Sequence, residues 1–243
     1  MWFNDGDKKI IYMDWDLTLY HNPKLESTIM NLCNILQLND ETKVNVINEL
    51  LIKHYNYSFR DMVEDIALIS GKNVYDFVSE KELKALEKAH LWEIEWFQLY
   101  DDSIDFIKEL KWMGIKTALA SNATDFYRLI SRKKFNLDKL LDHIYLSCEL
   151  GYAKNGKDFY RKIMNDTWVV SSHATMIGDN IKADILASKE AWLESIHILR
   201  NDGSHKKDQF SKHLSTSNVW DIKQWFQTVS DLSQALQIIK DKK

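Results

Sequence analysis

Proline occurs once in the 243 residues, at Pro23, and glycine seven times. A chain with so few breakers suits many helices joined by short connections. Cysteine occurs twice, at Cys33 and Cys148, far apart and without CxxC spacing. That offers no disulfide framework and no thiolate metal site, and two reduced, mostly buried thiols are expected. No apolar run approaches the roughly 18 residues that suggest a membrane span. The first residues, MWFNDGDKK, are polar and charged with no apolar segment behind them, so a secretory signal is not expected and a cytoplasmic location is. Charge of neither sign is in large excess: 32 Lys and Arg face 36 Asp and Glu, a formal net charge of −4. This argues against nucleic acid as an obligate partner, because phosphate backbones attract basic faces. One local basic site would still serve a small anionic substrate. The eight histidines show neither metal-ligand spacing nor a partner for a nucleophilic Ser or Cys.

What is present is ordinary for a globular protein: 45% hydrophobic and 28% charged residues. The length allows one sizeable core, or a core plus an inserted subdomain. The stretch IIYMD, ending at Asp14, reads as a buried strand. From about Asn22 to Trp96 the pattern becomes helical, in LESTIMNLCNILQL, ETKVNVINELLIKHY, FRDMVEDIALIS and VSEKELKALEKAHLWEIEWF. Strands and helices then alternate. SIDFIKELKWMG is a helix that Gly114 can close, and IKTALAS a strand. ATDFYRLISRKKF is a helix, HIYLS a strand and GKDFYRKIMNDT a helix. HATMIGD, IKADILASKEAW and SIHIL follow as strand, helix and strand. VWDIKQWFQTV and DLSQALQIIK are expected to end the chain as helices. Such alternation predicts a three-layer, Rossmann-like parallel α/β sheet with an inserted all-helical domain. The expected division is a core of residues 1–20 and 98–243 and a helical cap of residues 21–97.

Sheets of this kind bind ligands at the carboxyl ends of their strands. There the sequence places Asp14 and Asp16, with Thr18 behind them. Residues two apart in extended backbone point the same way, so both carboxylates face one small volume. Three more strand ends are polar. IKTALAS ends in Ser121 and Asn122, HATMIGD ends in Gly178 and Asp179 with Asp184 shortly after, and Lys154 lies in the loop after HIYLS. Acids, a hydroxyl and a lysine can together hold one hard divalent cation and one phosphate. A carboxylate can attack phosphorus, and a second carboxyl can protonate the leaving alcohol. Hydroxyl, amide and ammonium groups can bind the nonbridging oxygens.

In this order the motifs resemble those of the haloacid dehalogenase-like hydrolase superfamily, across roughly residues 8–200. The first is Asp14-Trp15-Asp16-Leu17-Thr18, the second Ser121 with Asn122, the third Lys154, and the fourth Gly178-Asp179 with Asp184 five residues on. The resemblance implies that Asp14 is the nucleophile and Asp16 the general acid/base. It implies that Thr18, Ser121, Asn122 and Lys154 form the phosphate-binding set, Thr18 by fixing the first loop. The implied Mg²⁺ site comprises Asp14, Asp16 through its backbone carbonyl, Asp179 and Asp184, the last as support. Two departures stand out. The lysine motif usually continues with proline, but Lys154 is followed by Asn155-Gly156-Lys157, so Lys157 is a rival. Trp15 is bulky between the two acids and reads as a packing variation.

Asp16 favours phosphoryl chemistry over dehalogenation, which needs no proton for its leaving group. About 100 residues separate the first two motifs and 31 lie between Asn122 and Lys154, so the insert after the first strand is the cap. Arg60, His54 and Lys72 lie near breaks in it and read as ordinary exposed side chains. The resulting expectation is a magnesium-dependent phosphatase that hydrolyses a small-molecule phosphate monoester through an aspartyl-phosphate. The alternatives are a phosphotransferase or phosphomutase of the same superfamily, or a non-catalytic phosphate-binding regulatory domain. No membrane partner is expected, and the chain is expected as a monomer or weak homodimer.

Overall fold

The structure is a computed structural model, and it describes residues 9–21, 27–53, 58–124, 132–201 and 226–242. Its centre is a six-stranded sheet. The strands are β1 (Ile10–Met13), β4 (Lys116–Ser121), β5 (His143–Leu146), β6 (Ala174–Gly178), β7 (Glu194–Ile198) and β8 (Gln227–Val229). Their order is β5-β4-β1-β6-β7-β8, and every pairing is parallel. The chain runs outward from β1 through β4 to β5, then returns to β6 on the other side of β1. That reversal opens a crevice at the carboxyl end of β1. All four residues of β1 are buried, as expected for a central parallel strand covered on both faces.

Alternation along β1 builds the layers. Ile11 and Met13 join Leu119, Ile177 and Ile196 beneath helix α5 (Ser103–Trp112) and the C-terminal helix Leu232–Asp241. Ile10 and Tyr12 face the other way, onto Phe159, Tyr160 and Ile163 of the helix Lys157–Thr167.

The insert forms α1 (Thr28–Ile35), α2 (Asp40–Ile52), α3 (Phe59–Ser70) and α4 (Glu80–Glu95). These helices enclose a hydrophobic cluster of their own, including Leu32, Leu36, Val46, Leu50, Met62 and Ile66. Local signals set their ends: Asn39 caps α2 through Thr42 N–H, and Ser58 with Asp61 forms a capping box on α3. Gly71, at φ 67°, ends α3 in the left-handed conformation that glycine adopts without a Cβ clash. Arg60 is exposed beside Tyr75 and Glu80. Lys72 donates to the Leu36 carbonyl at 2.8 Å, a purely structural use, and His54 lies outside the described residues. Both cysteines are free and buried.

Two sequence expectations need correction. The proposed helix VWDIKQWFQTV lies partly outside the described residues, and its end, Gln227–Val229, is strand β8. The edge of β7 offers Ile196, His197 and Ile198 as pairing partners, and that tertiary opportunity overrides the helical pattern. The helix read over IKADILASKEAW opens instead as a π-helical turn, Ile181–Leu186, followed by the short helix Ala187–Glu190. At the cap's two connections, β2 (Tyr20–His21) and β3 (Gln98–Leu99) pair antiparallel. Two residues per strand are too few for a periodicity signal. Most of the expected helix ATDFYRLISRKKF lies outside the described residues.

Candidate active site

Asp14 directly follows β1, and its N–H donates to the Ile177 carbonyl at 2.8 Å. It therefore stands at the crevice, locked to the end of β6. The chain then turns sharply. The Trp15 carbonyl accepts from the N–H groups of both Leu19 and Tyr20, each at 3.1 Å, and Leu17 sits at φ 54°. A left-handed leucine costs about 1 kcal/mol or more, a strain typical of backbone held for function. Asp16 is exposed in this turn, whereas Thr18 is buried. A strut that no motif announced holds the turn: buried Arg200 donates to the Thr18 carbonyl and to Asp102, both at 2.6 Å. Its guanidinium lies 3.9 Å from the centre of the Tyr100 ring.

Lys154 reaches the same point from the loop after β5. Its ammonium contacts Asp14 Oδ1 and lies 2.7 Å from Asp184 Oδ1 and 2.9 Å from the Ala120 carbonyl. Asn122, at the end of β4, fixes that loop, since its Oδ1 accepts the Lys154 backbone N–H at 2.7 Å. Ser121 is buried at the β4 terminus. Lys157 is exposed on the first turn of the next helix.

The Gly178-Asp179 end of β6 brings two further acids. A Cβ at Gly178 would collide with the Asp184 carboxylate, so only glycine lets that side chain lie across the strand end. Asn180 N–H donates to Asp184 Oδ2 at 2.9 Å, and Asn180 Oδ1 caps the following turn at Lys182 and Ala183. Tyr160 braces the turn from beneath, donating to the Ala183 carbonyl at 2.7 Å. His197 Nε2–H donates to the Asp179 carbonyl at 2.9 Å. No sequence motif marks Arg200, Tyr160 or His197. Each acts from a distant part of the chain, and a single side chain carries no spacing signal.

Asp14, Asp179 and Asp184 present carboxylate oxygens that all lie within 4.8 Å of one another. The Asp16 carboxylate is not part of that group. Burial, then the charges of Asp14, Asp184 and Asp16, push the Asp179 carboxyl well above the ordinary carboxylate range against the pull of Lys154. Burial also raises Asp184, to about 7, with Lys154 opposing and Asp14 reinforcing. Burial works against the charge of Lys154, yet Asp14 and Asp184 hold it above the usual lysine value. Three carboxylates thus meet one ammonium where water is scarce. An oxygen-only donor set with surplus negative charge fits a hard divalent cation. The arrangement can place a phosphate dianion between that cation, Lys154 and the strand ends, with Asp14 within reach of phosphorus.

Comparison with known proteins bears on the family and the fold. One curated relative, a ribulose-1,5-bisphosphate 5-phosphatase of Halopiger xanaduensis, is 25% identical over 103 residues. That match takes in 42% of this chain and spans 43% of the relative's length. Among solved structures, the magnesium-bound HAD-hydrolase YfnB of Bacillus subtilis is 17% identical with a TM-score of 0.56, covering 95% of this chain and 98% of its own. A 2-haloacid dehalogenase of Pseudomonas syringae is 13% identical with a TM-score of 0.58, covering 97% and 100%. At such identities the solved structures show a shared fold. The family model for haloacid dehalogenase-like hydrolases matches residues 8–191, a span that begins before β1 and ends after Asp184, and the chain belongs to that family.

Proposed function

We propose that the protein is a magnesium-dependent phosphatase acting on a small phosphate monoester through an aspartyl-phosphate on Asp14. The observation that carries this reading is the buried meeting of Asp14, Asp179 and Asp184 with Lys154 at the carboxyl end of the central strand. The phosphatase relative supports the reaction class. The fold alone does not choose, because a dehalogenase shares it. Asp16 favours phosphoryl transfer, since it offers a proton to a leaving alkoxide that a departing halide would not need.

A bound Mg²⁺ would be held by Asp14, Asp179 and the Asp16 carbonyl, and would neutralise charge on phosphate and carboxylate. Asp184 would orient Lys154 and support the cation's surroundings. Asp14 attacks phosphorus with one carboxylate oxygen while the bond to the ester oxygen breaks. Asp16 delivers its proton to the departing alkoxide, which leaves as the alcohol. The Asp16 carboxylate then takes a proton from water, whose oxygen attacks phosphorus. The P–O bond to Asp14 breaks, and inorganic phosphate leaves. Lys154, Ser121 and Asn122 bind the nonbridging oxygens and stabilise the transferring group. On this reading residues 21–97 serve as the cap over this site, joined where β2 pairs with β3, and residues 1–20 and 98–243 form the catalytic core.

The test is phosphate release from a panel of monoesters with Mg²⁺, with EDTA, and by Asp14→Asn. Release should need the metal and vanish in the variant. A folded protein that releases phosphate from no ester would sink the reading. An isomerised ester in place of phosphate would identify a mutase.

A further inference from the structure

A cavity of about 280 Å³ opens beside Asp16, Ser121 and Asn122, between the core and the inserted helices. Its walls are mainly apolar. Trp15 and Tyr20 contribute from the first loop, Phe97 from the returning connection, Ile47 and Leu51 from α2, and Leu146 from the end of β5. Three of these rings are packed in series. Trp15 lies 4.7 Å from Tyr20, and Tyr20 lies 4.5 Å from Phe97. Trp15 also meets Phe135 edge-on at 5.3 Å.

Among the described residues, two charged side chains besides Asp16 line the cavity, and both are already engaged. Glu93 accepts from the N–H of Thr28 at 2.5 Å and from its hydroxyl, and lies 3.3 Å from His90 Nδ1. Arg132 forks onto Asp138 from Nε at 2.8 and 2.9 Å and reaches Glu149 at 3.2 Å. Two buried polar atoms of the lining residues have no hydrogen-bond partner, Trp15 Nε1 and Thr124 Oγ1.

Resting on the phosphatase reading, we propose that the site takes a phosphate monoester of a compact, largely apolar alcohol, about one ring in size. Trp15 is the residue that selects it. A sugar would bury several hydroxyls against walls that are mainly apolar, and each one left unpaired weakens binding about fivefold or more. The volume, about 280 Å³, sits at the low end of the roughly 300–1,000 Å³ of ordinary ligand pockets and suits a compact group. An apolar ring loses nothing by leaving water and gains the aromatic wall. Trp15 stands between Asp14 and Asp16 in the chain. Its ring, packed against Tyr20 and Phe135 and lining the cavity with Asp16, limits the size of the group held there.

Binding to Asp14→Asn, measured by calorimetry with Mg²⁺ present, separates this inference from turnover. The probes are benzyl phosphate, glucose 6-phosphate and inorganic phosphate; both esters derive from primary alcohols. Benzyl phosphate should bind at least tenfold more tightly than the other two. Adding Trp15→Phe should enlarge the cavity and raise the affinity for 2-naphthylmethyl phosphate relative to benzyl phosphate at least threefold. If that variant does not fold, Ile47→Asn should lower benzyl phosphate affinity at least threefold, with inorganic phosphate binding reporting an intact site. Equal binding of the three probes, tighter binding of glucose 6-phosphate, or binding of none would overturn the inference. If the unmutated protein binds benzyl phosphate in this order but releases no phosphate from any ester, the phosphatase reading falls and the cavity's preference stands.

Discussion

The core and the cap each bury a polar cluster, and the two clusters close differently. In the cap, one carboxylate, Glu93, meets Thr28 N–H, the Thr28 hydroxyl and His90. Two donors from Thr28, at the start of α1, reach it, as burial of a lone charge requires. In the core, three carboxylates converge, Lys154 touches two of them, and two have their proton affinity raised. A cluster that satisfies itself is structural. One that leaves negative charge over, at a strand end inside a crevice, has the donor set to accept a hard cation. The distinction lies in the charge balance.

Removing the cation from the core cluster should break the comparison most strongly. Lys154→Met leaves three facing carboxylates, so phosphate release should fall on the order of 10²–10³-fold. The same change should cost about 3 kcal/mol of stability through the uncompensated buried charge. Activity assays and chemical denaturation of the same preparation would read both, and a loss below tenfold would show that Lys154 does not serve the transferring group.

A pH series sharpens the comparison further. Asp184 binds its proton more tightly folded, at about 7, than its ordinary value of 3.8. Between these values the folded state holds more protons than the unfolded one, so metal-free stability should fall as pH rises from about 4 to 7. A single pKa unit is worth about 1.4 kcal/mol, or roughly 3–6 °C in melting temperature. Thermal unfolding in EDTA should show this decline. The stabilisation by Mg²⁺ should be larger at pH 7 than at pH 5, and a flat or rising metal-free profile would contradict it.

In the cap, Glu93→Gln keeps an acceptor for Thr28 and should cost only about 1–2 kcal/mol. Its melting temperature should drop by a few degrees, while the shift caused by Mg²⁺ stays that of the unmutated protein. A reduced Mg²⁺ shift would mean that the cap's cluster is coupled to the site. Lys157→Ala should have the smallest effect, within about 0.5 kcal/mol of stability and with phosphate release unchanged. A loss comparable to that of Lys154→Met would reassign the functional lysine.

Much of this could be read in the chain before any coordinates. The buried run Ile10–Met13, the alternating strands and helices, and the helical spacing of the insert are local patterns, and periodicity reports them. The acids at the strand ends were legible for the same reason, since a strand's end can be seen in its sequence. What escaped depends on partners elsewhere in the chain. Gln227–Val229 becomes a strand because β7 has a free edge. Arg200 matters because Thr18 and Asp102 converge on it, 182 and 98 residues away. Trp15 read as a packing variation until Tyr20, Phe97 and the cavity stood beside it.

The sequence by itself determined the order of the elements, the place of the helical insert and the residue types at each strand end, because these follow from short-range spacing and side-chain chemistry. Tertiary structure alone decided which of them meet. Asp14 and Lys154 are 140 residues apart and in contact, and Asp184 joins them because Gly178 has no Cβ to keep it away. Charge balance is a property of that meeting, set by distance and burial, and distance between remote residues is what a linear chain does not state.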